Sequence, residues 1–182
     1  MKRLLLVLSA LALLAAAATD AAVQRPKLAA VASVFAERPV RVKCYQPEEL
    51  DAPEGIGAWG YVNIPLSKAR YMHVSDVLCN AARDVNGDAP RWQRALGVLV
   101  IVHEAYHLHR WGAAGDEAKV ECRAIRHWRV GARLLGATED TVTELWPYAI
   151  AYHYRLTGYE DLWSDDRPYY DPGCEVPPIG DE

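Results

Sequence analysis

The chain has 182 residues, 51% of them hydrophobic and 24% charged, which is enough apolar material for one domain with its own core. Its 20 basic and 24 acidic side chains leave a net charge of −4, a balance that argues against nucleic acid as a partner. Four cysteines, at 44, 79, 122 and 174, form an even set suited to two disulfides in any of three connectivities.

The opening stretch, MKRLLLVLSALALLAAAATD, places two cations before an unbroken apolar run over 4–18 and small residues after it. That is the layout of a secretory signal peptide, with cleavage expected after Ala18 because Ala16 and Ala18 satisfy the small-x-small rule. The run is shorter than the roughly 20 apolar residues of a permanent span, so the mature chain is expected outside the cytoplasm with no integral membrane span. Loss of Lys2 and Arg3 makes it two charges more negative. Such a compartment favours oxidised cysteines.

Residues 19–38 read as a tether, and a single domain is expected over 39–160. PVRVKCY (39–45) alternates valines with basic residues and reads as a half-buried strand. The loop QPEELDAPEGIG separates it from two further short strands, WGYVNIP and RYMHVS, which flank the turn-like LSKA. Ser75 is placed to cap a short helix, DVLCNAARD, that the Asn86-Gly87 turn ends. A long helix is predicted over 89–111, with Asp88 as cap and Pro90 in the first turn. GAAG stops it, and Asp116 can cap EAKVECRAIRHWRVGARLL, which closes at Gly136. Thr138 can cap EDTVTELWPYAIAYHYRL, where Pro147 is expected to kink or restart the helix. From Glu160 onward eight acids face one arginine among several prolines, so 161–182 reads as an irregular acidic tail. Strands first and helices afterwards predict an α+β fold.

The chemistry concentrates in VHEAYHL at the end of the long helix. His103 and His107 are four residues apart, so both project from one face and can reach one divalent ion. Glu104, rotated by about 100°, can reach a water on that ion and act as its general base. Two neutral imidazoles plus a carboxylate suit zinc with one position left open. Random placement gives HExxH in about one such chain in eighty. The preceding ALGVLVIV makes chance less plausible still, because buried polar rings without partners are costly. For the third ligand, Glu117 and Glu121 compete. Glu121 lies near the centre of the stripe formed by Ala118, Ala124, Ile125, Trp128, Ala132 and Leu135, with Glu117 about 40° away on the same side.

HEAYH followed by DEAKVEC resembles the gluzincin metallopeptidases, in which HExxH supplies two ligands and a downstream helix supplies a glutamate. It is more closely similar to small exported bacterial proteins of the minigluzincin type. The positions that match their pattern are His103, Glu104, Ala105 and His107, then Asp116, Glu117 and Ala118, then Cys122 and Ala124, within roughly residues 60–135. In thermolysin-like members the ligand glutamate precedes an alanine, and a carboxylate four residues on orients a histidine. The resemblance therefore implies Glu117 as ligand and Glu121 as the orienting group. The turn LHRWGAAGD is longer than in that pattern, and the glycine and third histidine of metzincins are missing after His107.

The resemblance further implies a zincin-like arrangement: a small N-terminal sheet, an active-site helix, a glutamate helix and a further C-terminal helix. It implies an exported Zn2+-dependent peptidase acting on a peptide or protein substrate, with YMHVS as the sheet edge that pairs with it. His153 and Tyr154 are then possible oxyanion donors, with core packing the plainer alternative. The rival reading of the whole chain is a non-catalytic zinc-binding domain with a structural or interaction role. His109 is expected to point away from the pair into solvent, and Trp92, Trp111, Trp128 and Trp146 to serve core or rim. From their places along the chain, Cys79 is expected to bridge to Cys122 and Cys44 to Cys174. That would hold Asp161, Asp165, Asp166, Asp171 and Glu175 near the cleft, where a carboxylate filling the open coordination position would act as a latch.

Overall fold

The computed structural model describes residues 25–46, 59–62, 70–109, 116–156 and 173–176. The expected signal peptide, Trp111 and most of the acidic tail lie outside them. The first described element, helix α1 (Pro26–Ala36), falls where a tether is expected. Pro26 opens it, its fixed φ suiting the first turn. Leu28, Val31, Ala32, Phe35 and Ala36 recur at the i, i+3, i+4 spacing of a buried stripe and join the core. Glu37 ends it in the left-handed region at φ 51°. Ser33 then binds the helix to the following strand, donating to the Ala29 carbonyl at 2.6 Å and accepting from Val40 N–H at 2.9 Å.

Three strands follow, β1 (Arg41–Tyr45), β2 (Gly60–Val62) and β3 (Tyr71–Ser75), all where alternation predicts them. They form one sheet in the order β1-β3-β2, with β1 parallel and β2 antiparallel to β3. The expectation that YMHVS is an edge is thus wrong. β2 returns antiparallel along one side of β3 and β1 occupies the other, so β3 is central and the short β2 is an edge. Val42, Met72 and Val74 turn inward, while Lys43 and His73 pair on the opposite face.

β3 leads without a loop into α2 (Asp76–Arg83), whose Leu78 N–H is capped by Ser75 Oγ as expected. This direct turn corrects the expected cysteine pairing. Cys44 sits opposite Val74 in register, and Cys79 lies one turn into α2, so the two meet with a Cα separation of 6.0 Å. The second disulfide joins Cys122 to Cys174. Both differ from the predicted pairs because the strand-to-helix turn takes Cys79 back over β1.

α3 (Arg91–His107) is the central element, packed against the other helices and against β2 and β3. It is shorter than predicted, and its N-cap is Pro90 without a side-chain cap bond, so Asp88 does not cap it. At Gly97 a Cβ would stand 2.7 Å from the Leu78 carbonyl, so α2 and α3 meet backbone to backbone. The next predicted helix divides at His127 into α4 (Glu117–Arg126) and α5 (Trp128–Leu134). The interruption is one residue long, and bonds from His127 N–H to the Arg123 carbonyl and from Gly131 N–H to the His127 carbonyl still cross it. Asp116 caps α4 through Lys119 N–H at 3.1 Å. α6 (Glu139–Leu156) runs through Pro147 as one helix, and Thr138 Oγ1 caps it through Thr141 N–H at 3.2 Å. Trp128 and Trp146 are fully buried at 5.7 Å between centroids, whereas Trp92 is exposed. Among the described residues, six helices and a three-stranded sheet make the fold α+β.

Candidate metal centre

Every residue of α3 from 94 to 107 is buried, which follows from a sequence apolar on nearly all sides. His103, Glu104 and His107 are therefore carried into the interior, with 8%, 6% and 6% of their surfaces exposed. Interior polar groups cost several kcal/mol or so unless something compensates them. α4 supplies the compensation. Its first turn brings in Glu117, whose side chain is 35% exposed, and the next turn brings in Glu121 at 1%.

His103 Nε2 and His107 Nε2 lie 3.1 Å apart, and Glu117 Oε2 is 3.2 Å from each. Among the described residues, these three form the group able to hold a metal ion. Donors sharing a tetrahedral ion at bonds of about 2.0–2.1 Å stand about 3.3–3.4 Å from one another. The spacing and the donor types, two imidazole nitrogens and one carboxylate oxygen, fit a small divalent cation such as zinc.

Glu121 approaches the same histidine from behind. Its Oε2 is 2.9 Å from His103 Nδ1, and its Oε1 is 3.1 Å from His153 Nδ1 on α6. An ionised carboxylate only accepts, so both rings donate from Nδ1. For a neutral His103 this leaves the lone pair on Nε2, the nitrogen facing His107 and Glu117.

The electrostatics of the metal-free site follow from this crowding. Burial works against a charge on His103, yet hydrogen bonds with Glu117 and Glu121 raise its pKa to about 10. Burial likewise opposes ionisation of Glu117, but hydrogen bonds from His103 and His107 hold its pKa down to about 2. Glu121 is also lowered, with bonds from His103 and His153 overcoming its burial. Glu104 goes the other way: burial raises it, and the pull of His103 and His107 does not restore it. Three carboxylates around two imidazoles make a pocket that a dication neutralises better than a single proton does.

Glu104 stands beside the ligand group, not in it. Its Oε2 is buried without a hydrogen-bond partner among the described residues. β2 lies directly over it: a Cβ on Gly60 would meet Val100 Cγ1 at 2.7 Å and Glu104 Oε1 at 2.9 Å. Glycine is what lets the strand approach so closely. Tyr45, whose pKa is pushed up to about 12 by burial and then by Tyr61 and Glu104, closes the same side.

The structure thus brings His103, His107 and Glu117 together, sets Glu104 beside them, and puts Glu121 behind His103. The stripe argument finds the buried position of Glu121 correctly. His153 is buried against Glu121, while the Tyr154 side chain lies outside the described residues. His109 does turn away from the pair, but it is not in open solvent: it sits 3.5 Å from Glu37 and beside the Tyr106 ring. Of the tail acids only Glu175 is described, and it is exposed. Sequence reading missed the bond of His153 to Glu121 and the part of Gly60. A carboxylate centred on an apolar stripe was the available signal for the first, since such a group needs donors on both oxygens. Comparison with protein-family models, curated proteins and solved structures finds no match in any of the three.

Proposed function

We propose that the protein is an exported, zinc-dependent metallopeptidase of gluzincin-like, zincin-like design that hydrolyses peptide bonds. The observation that carries this reading is the meeting of His103 Nε2, His107 Nε2 and Glu117 Oε2 within 3.2 Å, with the Glu104 carboxylate beside them and its Oε2 without a hydrogen-bond partner among the described residues. Zinc, when bound, supplies a Lewis acid that polarises a carbonyl and acidifies water. His103, His107 and Glu117 would hold it, and Glu121 keeps the His103 ring in the orientation that turns Nε2 toward them. Burial raises the pKa of the Glu104 carboxyl, which makes it a stronger base than an exposed glutamate. Its bare Oε2 takes the proton from water and returns it to the leaving amine nitrogen. Two disulfides fit an oxidising compartment, and no described helix is long and apolar enough to cross a membrane. The disulfides support export.

One observation favours a non-catalytic zinc domain: His103 and His107 are almost wholly buried, and among the described residues Glu117 is the part-exposed member of the three. Glu104→Gln separates the two readings. The peptidase reading expects that variant to keep its zinc and lose about 100-fold or more of hydrolysis on a broad peptide library. Wild-type protein that holds zinc and cleaves nothing would favour the structural role.

A further inference from the structure

His153 sits 32 residues beyond Glu121, on a different helix from any metal donor, yet it shares a buried carboxylate with one of them. Glu121 is 1% exposed and has one oxygen on each ring: Oε2 on His103 Nδ1 at 2.9 Å, Oε1 on His153 Nδ1 at 3.1 Å. A carboxylate held at one oxygen can still swing about its Cγ–Cδ bond. Held at both, it has one orientation. The direction in which Glu121 accepts from His103 is thereby set by a residue of α6.

We propose that His153 is a positioning residue of the metal centre, fixing the Glu121 carboxylate so that His103 presents Nε2 to the ion. This rests on the metal-site reading above and deepens it. The bond to Glu121 commits His153 Nδ1 away from the reacting groups, and its side chain is 5% exposed. The arrangement couples α6 to α4 and α4 to α3, so the three helices that enclose the centre are joined through one polar line. Glu121 needs that second donor for its own sake as well, because a buried carboxylate with a single partner remains poorly compensated.

The test compares two amides of similar polarity. In His153→Asn the side-chain N–H₂ falls near the place of Nδ1 and can donate to Glu121. In His153→Gln it falls near the place of Nε2 and cannot. Zinc affinity, measured by chelator competition on the full mature chain with thermal melting as a folding control, is expected within about threefold of wild type for Asn. For Gln it is expected to fall by about 10–100-fold, the usual effect of losing a group that orients a ligand. Equal affinity in the two variants, whether both are wild-type-like or both are weakened, overturns the role of His153 while leaving the metal site standing. If the wild-type chain itself binds no zinc, the metal-site reading fails, and this role with it.

Discussion

Two turns of α4, one above the other, carry the same residue type into different chemistry. The outer turn begins at the Asp116 cap and presents Glu117 to two imidazole Nε2 atoms with a third of its side chain exposed. The inner turn buries Glu121 against two imidazole Nδ1 atoms. Exposure on one side leaves Glu117 room to share an ion with something from outside, whereas Glu121 is enclosed between the His103 and His153 rings. The lesson is that a glutamate's role here is set by depth along one helix and by which ring nitrogen it meets.

That contrast predicts a crossed pattern. Glu121→Ala should destabilise the zinc-free protein by about 3–5 kcal/mol in denaturant titrations, because it leaves two buried rings facing a void. It should weaken zinc by only about 10–100-fold. Glu117→Ala should do the reverse: more than about 100-fold loss of zinc, with a smaller loss of stability than Glu121→Ala, since the Glu117 side of its ion pairs is part-exposed. If the two variants show the same ranking in both measurements, the division between the turns is wrong. A smaller effect is expected from Gly60→Ala, which drives a methyl group against Val100 and Glu104. Hydrolysis should fall about tenfold or more with zinc affinity unchanged, since misplacing a reacting group by a fraction of an ångström is enough.

The smallest effect is on pH dependence of the zinc-stripped chain. Glu117, lowered from 4.5 to about 2, contributes stability that is present above pH 4.5 and lost as pH falls toward 2. His103, raised from 6.5 to about 10, contributes stability that is full below pH 6.5 and lost as pH rises through about 10. Melting temperature should therefore decline on both sides of that window, and Glu117→Ala should flatten the acidic side.

The candidate site was more legible in the sequence than its frame. HExxH on a helix fixes two rings on one face, and the stripe through Ala118, Ala124 and Ile125 correctly placed Glu121 deep and Glu117 toward the turn. Caps at Ser75, Asp116 and Thr138 were readable because a short polar side chain before an apolar period satisfies orphan N–H groups. What depended on tertiary arrangement was not. α1 carries a clear buried stripe from Leu28 to Ala36, but its alanines continue the alanine-rich composition of the sequence before it. Strand order inverted the edge assignment, since three short strands do not encode which lies in the middle. Cysteine positions along the chain likewise did not show that α2 folds back over β1 and brings Cys79 to Cys44.

The central claim is that His103, His107 and Glu117 hold one metal ion. Its most direct test is elemental analysis of the purified mature chain beside the doubly substituted His103→Ala, His107→Ala protein, after both are loaded with zinc and desalted. One zinc per wild-type chain and essentially none in the variant is the predicted result. Equal zinc in the two proteins would contradict it.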